Sequence, residues 1–315
     1  MAFGPENILF VADLGNGTIY AIGTGDEARG DRAAPLNIEG VNARIAEMIG
    51  ATAKDVTIGD LKVNPGTGNV FLSVSRKGGN GLIVRIDRGG KVTELSLKDV
   101  PMAQITLDKT PSQSNARNPV VTAMAYQKGR LFVAGMSNEE FNSAFRSIEF
   151  PFKETDSITS VEIFHGSHGR WETKSPIRTF TTFEIDGKAN LLAAYTCTPL
   201  VKVPVDSLKA GEKVKGVTVA ELGNMNTPLD MVVYQKEGKT FILIANTARG
   251  VMKVSTDGLD KIEPITAQVR GTAGVKFETV KGLSNVVQLD RLSESQAILL
   301  AKNGDSFDLK SVDLP

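Results

Sequence analysis

Cysteine is almost absent from this chain. Among 315 residues Cys197 stands alone, so no internal disulfide framework supports the fold. Histidine is nearly as rare, at His165 and His168 only, and tryptophan occurs once, at Trp171. Phe, Tyr and Trp together make up 6% of the residues, which is lean for a surface that stacks exposed bases. Net charge is absent too: 36 basic residues balance 36 acidic ones, so no global field argues for nucleic acid or an anionic membrane. No apolar run approaches the ~20 residues of a spanning helix. The opening, MAFGPENILFVAD, has neither the basic region nor the apolar stretch of a signal peptide. It enters a strand almost at once, and this abruptness suggests that a leader has been removed. GxSxG, HExxH, Walker and CxxC motifs are missing, as are haem or cluster ligands.

What is there is repetition, in a chain that is 41% hydrophobic and able to bury a sizeable core. A short apolar run ending in a small residue recurs as LFVAD, FLSVS, LFVAG, LLAAY, ILIAN and ILLAK. Its small residues Ala12, Val74, Ala134, Ala194, Ala245 and Ala301 are 62, 60, 60, 51 and 56 positions apart. Upstream of each run lies a strand with a Gly, Asp or Asn turn, as in TAMAYQKGR and DMVVYQKEGK. Downstream lies another strand, as in TIYAI, LIVRI, SVEIF and GVMKV, and an edge strand often follows. Each unit thus reads as a four-stranded antiparallel meander, A to D. A sheet of this kind buries its two faces only against neighbours, which predicts a six-bladed β-propeller as a single domain over residues 1–315. Seven blades is the alternative, with a weak unit in 264–283. The first and last units are expected to complete each other. Residues 41–52 carry apolar residues at helical spacing and predict a short inserted helix. Residues 136–159, with Phe141, Phe145, Phe150 and Phe152 among charges, read as a loop or lid inserted between strands B and C of blade three.

The units, with SNEEF…FPF, HGSHGRWET, YTCTPLV and NTPLDMVVY, resemble bacterial exported six-bladed propeller proteins of the NHL, YVTN and gluconolactonase-like group. The resemblance implies the propeller fold and a periplasmic or secreted location, with the cytoplasm as the alternative. In the lactonase branch, acidic and Asn side chains hold a divalent cation at the channel mouth. Only Asp60 and Asp230 fall near such positions, and no glutamate stands at the place expected near the start of the first blade.

In a propeller strand A lines the axis, and the B–C and D–A loops share the face where binding groups collect. Alignment of the A strands puts Asp60, Thr122, Thr179 and Asp230 at one level, with Val286 or Asn285 in the last unit. Two carboxylates among hydroxyls suit Ca2+ or another divalent cation, and a wet polar channel lining is the plainer reading. No other cofactor is evident. The top-face loops offer Asp13, Asn138, Glu139, Glu140, Arg146, Asn246 and Arg249 for a ligand. Arg249 is the best anion clamp because its fork matches a carboxylate. With SVEIF as strand C, the turn holding His165 and His168 falls on the face away from the mouth. A metal there, or a pairing with Cys197, is not expected.

The function expected is a non-catalytic binding or scaffold propeller that takes a protein partner or small polar ligand on its top face. Nucleic acid and membrane insertion are not expected. The alternative is a hydrolase or lactonase-type enzyme with a divalent cation at the mouth, and a third reading is an accessory subunit of a periplasmic redox complex.

Overall fold

In a computed structural model the chain forms six β-sheets arranged as the blades of a propeller. The structure describes all residues except 28–30, 32–33, 113–118, 154–156, 186 and 198. Part of the 136–159 segment therefore lies outside the described residues.

The hairpin chemistry of the sequence explains the local structure. In blade three the inner strand Ala123–Gln127 turns into Arg130–Met136 through Lys128 and Gly129, both at positive φ. Blade five repeats this with Glu237 and Gly238 between Pro228–Lys236 and Lys239–Asn246. Two-residue loops with both centres left-handed match the right-handed twist of the strands they join. The second strand of each blade is the recurrent apolar run. It is covered on both faces, as in Leu191 to Tyr195, where every residue is buried.

Numbered by the order of their inner strands, the blades begin at Ala2, Val56, Ala123, Ile177, Pro228 and Val286. Six apolar clusters lie one between each neighbouring pair, and their membership gives the ring order as 1–3–4–5–6–2. The chain interlocks its ends to reach that order. Blade six takes its outer strand, Asn37–Ile38, from the stretch between blades one and two. Blade one takes its outer strand, Met102–Thr106, from the stretch after blade two. The stretch after blade one thus completes the last blade, but the last unit supplies no strand to blade one, and blade two lies between them. The helix Val41–Met48 follows the donated strand. Its buried Val41, Ile45 and Ala46 pack in the seam between blades six and two, and Asn42 ties it to blade six through the Asp305 carbonyl and the Phe307 N–H.

Residues 264–283 do not form a seventh blade. Thr272–Gly274 pairs with the outer strand of blade four, and Phe277–Thr279 is the outer strand of blade five. Blade three also departs from the sequence reading. Ser143–Glu149 pairs with Arg130–Met136 on one side and Ser157–His165 on the other. It is therefore strand C of the blade rather than part of a lid, and SVEIF belongs to strand D.

The joint between blades one and two has the smallest apolar cluster, Met1, Leu9, Phe71 and Ile83. A polar network reinforces it. Asp26, whose side chain is fully buried, follows strand C of blade one. Its carboxylate accepts from Asn64, Thr67 and Asn69 of blade two and pairs with Arg85 at 3.4 Å. Removing the carboxylate leaves the buried Asn64 and Thr67 donors without their acceptor. Asp26→Ala should lower stability by about 2–4 kcal/mol. Denaturant midpoints will show the loss, while Asp305→Ala on the surface should shift stability by less than about 0.5 kcal/mol.

Candidate functional site

A cavity of about 600 Å³ runs along the propeller axis between the inner strands. Four of those strands carry a β-bulge at the same level, with Gly59, Arg178, Leu229 and Val287 as the extra residues. The next residues, Asp60, Thr179, Asp230 and Gln288, are the equivalent set. In blade six Gln288, two or three positions further along, takes the place expected for Val286 or Asn285. Thr122 lines the same cavity and donates to the Ala134 carbonyl.

The sequence reading missed two charges on the axis. Lys62 and Asp290 lie two positions beyond Asp60 and Gln288, and period-two alternation puts them on the same face. The Lys62 ammonium sits 3.5 Å from Asp230 and 3.9 Å from Asp60. Burial disfavours its charge, but Asp230, Asp60 and Asp290 together hold its pKa well above the ordinary lysine range. The carboxylates divide. Burial opposes ionisation of Asp60, yet the Met1 amino group and Lys62 hold it low. Burial pushes Asp230 up to about 6 against the pull of Lys62, and raises Asp290 as well.

These carboxylates also complete the backbone. An inner strand exposes one unpaired edge to the channel. Asp230 accepts from the Leu289 N–H of blade six, and Asp290 accepts from the Val63 N–H of blade two. Asp60 and Asp230 also cap the next N–H of their own strands, at Leu61 and Met231. All four oxygens of Asp60 and Asp230 have a protein partner, and Lys62 supplies positive charge where the cation reading puts a metal.

The top-face residues fall into two groups. Several shape the turns. Asp13 accepts from the Gly15 N–H and the Asn16 amide. Asn246 is buried and spans its turn through the carbonyls of Ile244 and Gly250 and the Asn226 amide. Arg146 is buried on strand C of blade three and donates to the Asp108 carbonyl, so it is no surface anchor. The aromatics around it pack inward too: Phe145 meets Phe180 edge-on at 5.1 Å, and Phe150 meets Phe10 at 4.9 Å. The others stay at the surface. Asn138, Glu139 and Glu140 form the B–C turn, where Glu139 pairs with Lys109 and Glu140 with Lys213. Arg249 is exposed and donates to the Asn224 carbonyl at 3.4 Å.

The extra strand in blade three reverses the position of the histidines. Because Ser157–His165 is strand D, it ends on the top face. A four-residue turn then leads into Arg170–Glu172, which folds back along it. Cys197 lies in the B–C turn of blade four, between Lys188–Tyr195 and Pro199–Pro204, on that same face. His165, His168 and Cys197 bring one ligand atom each to within 4.8 Å of one another. Glu172 accepts from Nδ1 of His165 at 2.9 Å and of His168 at 2.7 Å, and Ser175 donates to it as well. Burial opposes its ionisation, but these hydrogen bonds hold it at about 2. Beneath the turn, buried Glu221 accepts from the Gly166 N–H at 2.6 Å. A side chain at Gly166 would meet that carboxylate at 2.9 Å, which accounts for the glycine. Trp171 stacks edgewise on Phe164 with Lys215 over its ring.

No family model matches the chain, and no curated protein matches it. Among solved structures, it is similar to a chain of Drosophila Plexin A in complex with Semaphorin 1b. The identity is 10%, over 99% of this chain and 86% of that one, with a TM-score of 0.45. A chain of the Mitotic Checkpoint Complex gives 10% identity over 99% and 88%, with a TM-score of 0.40. The full extracellular region of Plexin A4 gives 8% identity over 97% and 39%, with a TM-score of 0.47. Among the described residues no helix is long and apolar enough to cross a membrane.

The raised pKa of Asp230 has a measurable consequence. A carboxyl whose folded pKa lies above its unfolded value contributes stability below the unfolded value and loses it as pH rises through the folded one. Wild-type stability should therefore fall by about 1–3 kcal/mol from this group between pH 4 and 7. Asp230→Asn removes that titration. The variant should gain on wild type by this amount across the same interval, as read from denaturation at each pH.

Proposed function

We propose that the protein is a non-catalytic binding propeller that engages a protein partner through its top face. The observation that carries this reading is the one-sided placement of large exposed apolar side chains. Of the five among the described residues, Leu14, Trp171 and Met225 lie toward the top end by the direction of the strands beside them, and Met102 lies at the other. Met225 is 87% exposed, in the loop that leaves blade four. Single exposed apolar residues are ordinary on a protein surface, but their gathering at one end of a symmetric scaffold is what a docking face needs. Trp and Met are the residue types that anchor interfaces. The salt-bridged rim of Lys109, Glu139, Glu140 and Lys213 supplies the polar surround. The axis supports the same reading over lactonase-type hydrolysis, because Lys62 already pairs with both carboxylates that a catalytic cation would use.

The test is affinity capture from the source cells with wild type, a Leu14→Asp, Met225→Asp double variant, and Met102→Asp, each first shown to melt like wild type. The top-face variant should recover at least about tenfold less of a stoichiometric partner, and Met102→Asp should recover as much as wild type. Equal recovery by all three, or no stoichiometric partner with wild type, overturns the proposal.

A further inference from the structure

The cluster at the junction of blades three and four supports an inference independent of partner binding. His165 and His168 come from one turn and Cys197 from another, with their ligand atoms within 4.8 Å. The two imidazole rings lie 3.9 Å apart, centre to centre. Glu172 determines how the rings present themselves. An ionised carboxylate can only accept, so both Nδ1 atoms that contact it carry hydrogen. Both Nε2 atoms are then lone pairs. A carboxylate behind the imidazole is how metal-bound histidines are oriented and made more basic.

A second, separate observation points to a ligand. His165 is 2% exposed, and among the described residues no group donates to its Nε2. A buried acceptor without a donor is a cost that native structures seldom leave in place. A cation at that lone pair removes it. Cys197 is held at φ 63° with its N–H on the Asn226 carbonyl at 2.8 Å, which fixes the backbone that presents the thiol.

We propose that His165, His168 and Cys197 bind one borderline transition-metal ion, with Zn2+ as the reference, through two imidazole nitrogens and the thiolate sulfur. Zinc bonds of about 2.0–2.1 Å to nitrogen and 2.3 Å to sulfur put the ligand atoms about 3.3–3.7 Å apart around a tetrahedron. The observed spacing closes to that by rotation of the half-exposed His168. The thiol proton passes to solvent as the metal binds. Three protein ligands leave a fourth position for water or a donor atom from outside, the pattern of an open rather than a purely structural site.

Since Cys197 is the only cysteine, the spectrum of a bound reporter metal identifies the site. The full chain, stripped with chelator and dialysed, is titrated with Co2+ by absorbance and with Zn2+ against a chromophoric competitor. One ion per chain should bind, with four-coordinate Co2+ bands and a thiolate charge-transfer band. Cys197→Ser should abolish that band. His168→Gln, at an exposed position and so expected to fold, should weaken Zn2+ binding at least 100-fold. Glu172→Gln should weaken it about 10–100-fold. Asp230→Asn should bind as wild type does. Absence of stoichiometric binding, a Co2+ spectrum without the thiolate band, or unchanged affinity in His168→Gln overturns the proposal. Loss of the ion in Asp230→Asn does so as well, because it would place the metal on the axis.

Discussion

The ring depends on the fact that a four-stranded sheet of this composition has no solvent-ready face. Each blade buries one side against the blade before it and the other against the blade after it. The six apolar clusters are the six seams. Removal of one blade exposes two seams, so the structure must close on itself. Closure here is a matter of strand exchange. Blade six is finished by Asn37–Ile38 and blade one by Met102–Thr106, so opening the ring means stripping an outer strand from a sheet. Where the apolar seam is smallest, between blades one and two, the buried Asp26 network carries part of the joint.

The axis poses the opposite problem. Inner strands present an unpaired edge to a polar channel, and the ring answers with side chains from the next blade. Asp230 and Asp290 each reach a main-chain N–H across a seam, and Lys62 balances the charge this concentrates. The top-face loops bring the two imidazoles and the thiol together, and Leu14, Trp171 and Met225 are exposed toward the same end.

The same strand logic explains what could be read in advance and what could not. The short apolar runs and two-residue turns are local signals, and they located five of the six inner strands, all but Ala2–Phe3 of blade one. Asp60 and Asp230 were legible as channel residues, and Lys62 would have been found by counting two further along the strand; Asp290 was hidden because the level of the last unit was read at Val286 or Asn285 rather than at Gln288. SAFRSIE hid its strand because a buried Arg146 and two serines interrupt the apolar pattern. Arg146 is satisfied in part by the Asp108 carbonyl, a contact distant in sequence. One missed strand then inverted the assignment of His165 and His168, since successive strands end on opposite faces.

The sequence by itself determined the unit and the polar lining of the channel, and favoured six blades over seven. Each follows from periodicity and turn chemistry within a few residues of chain. Only the tertiary structure decided the ring order, the two exchanged outer strands and the meeting of Cys197 with the histidines. The physical reason is that hydrogen-bonded edges are chemically alike. A strand such as Asn37–Ile38 carries no local mark of which sheet it completes, and that choice is made by which seam its side chains fill.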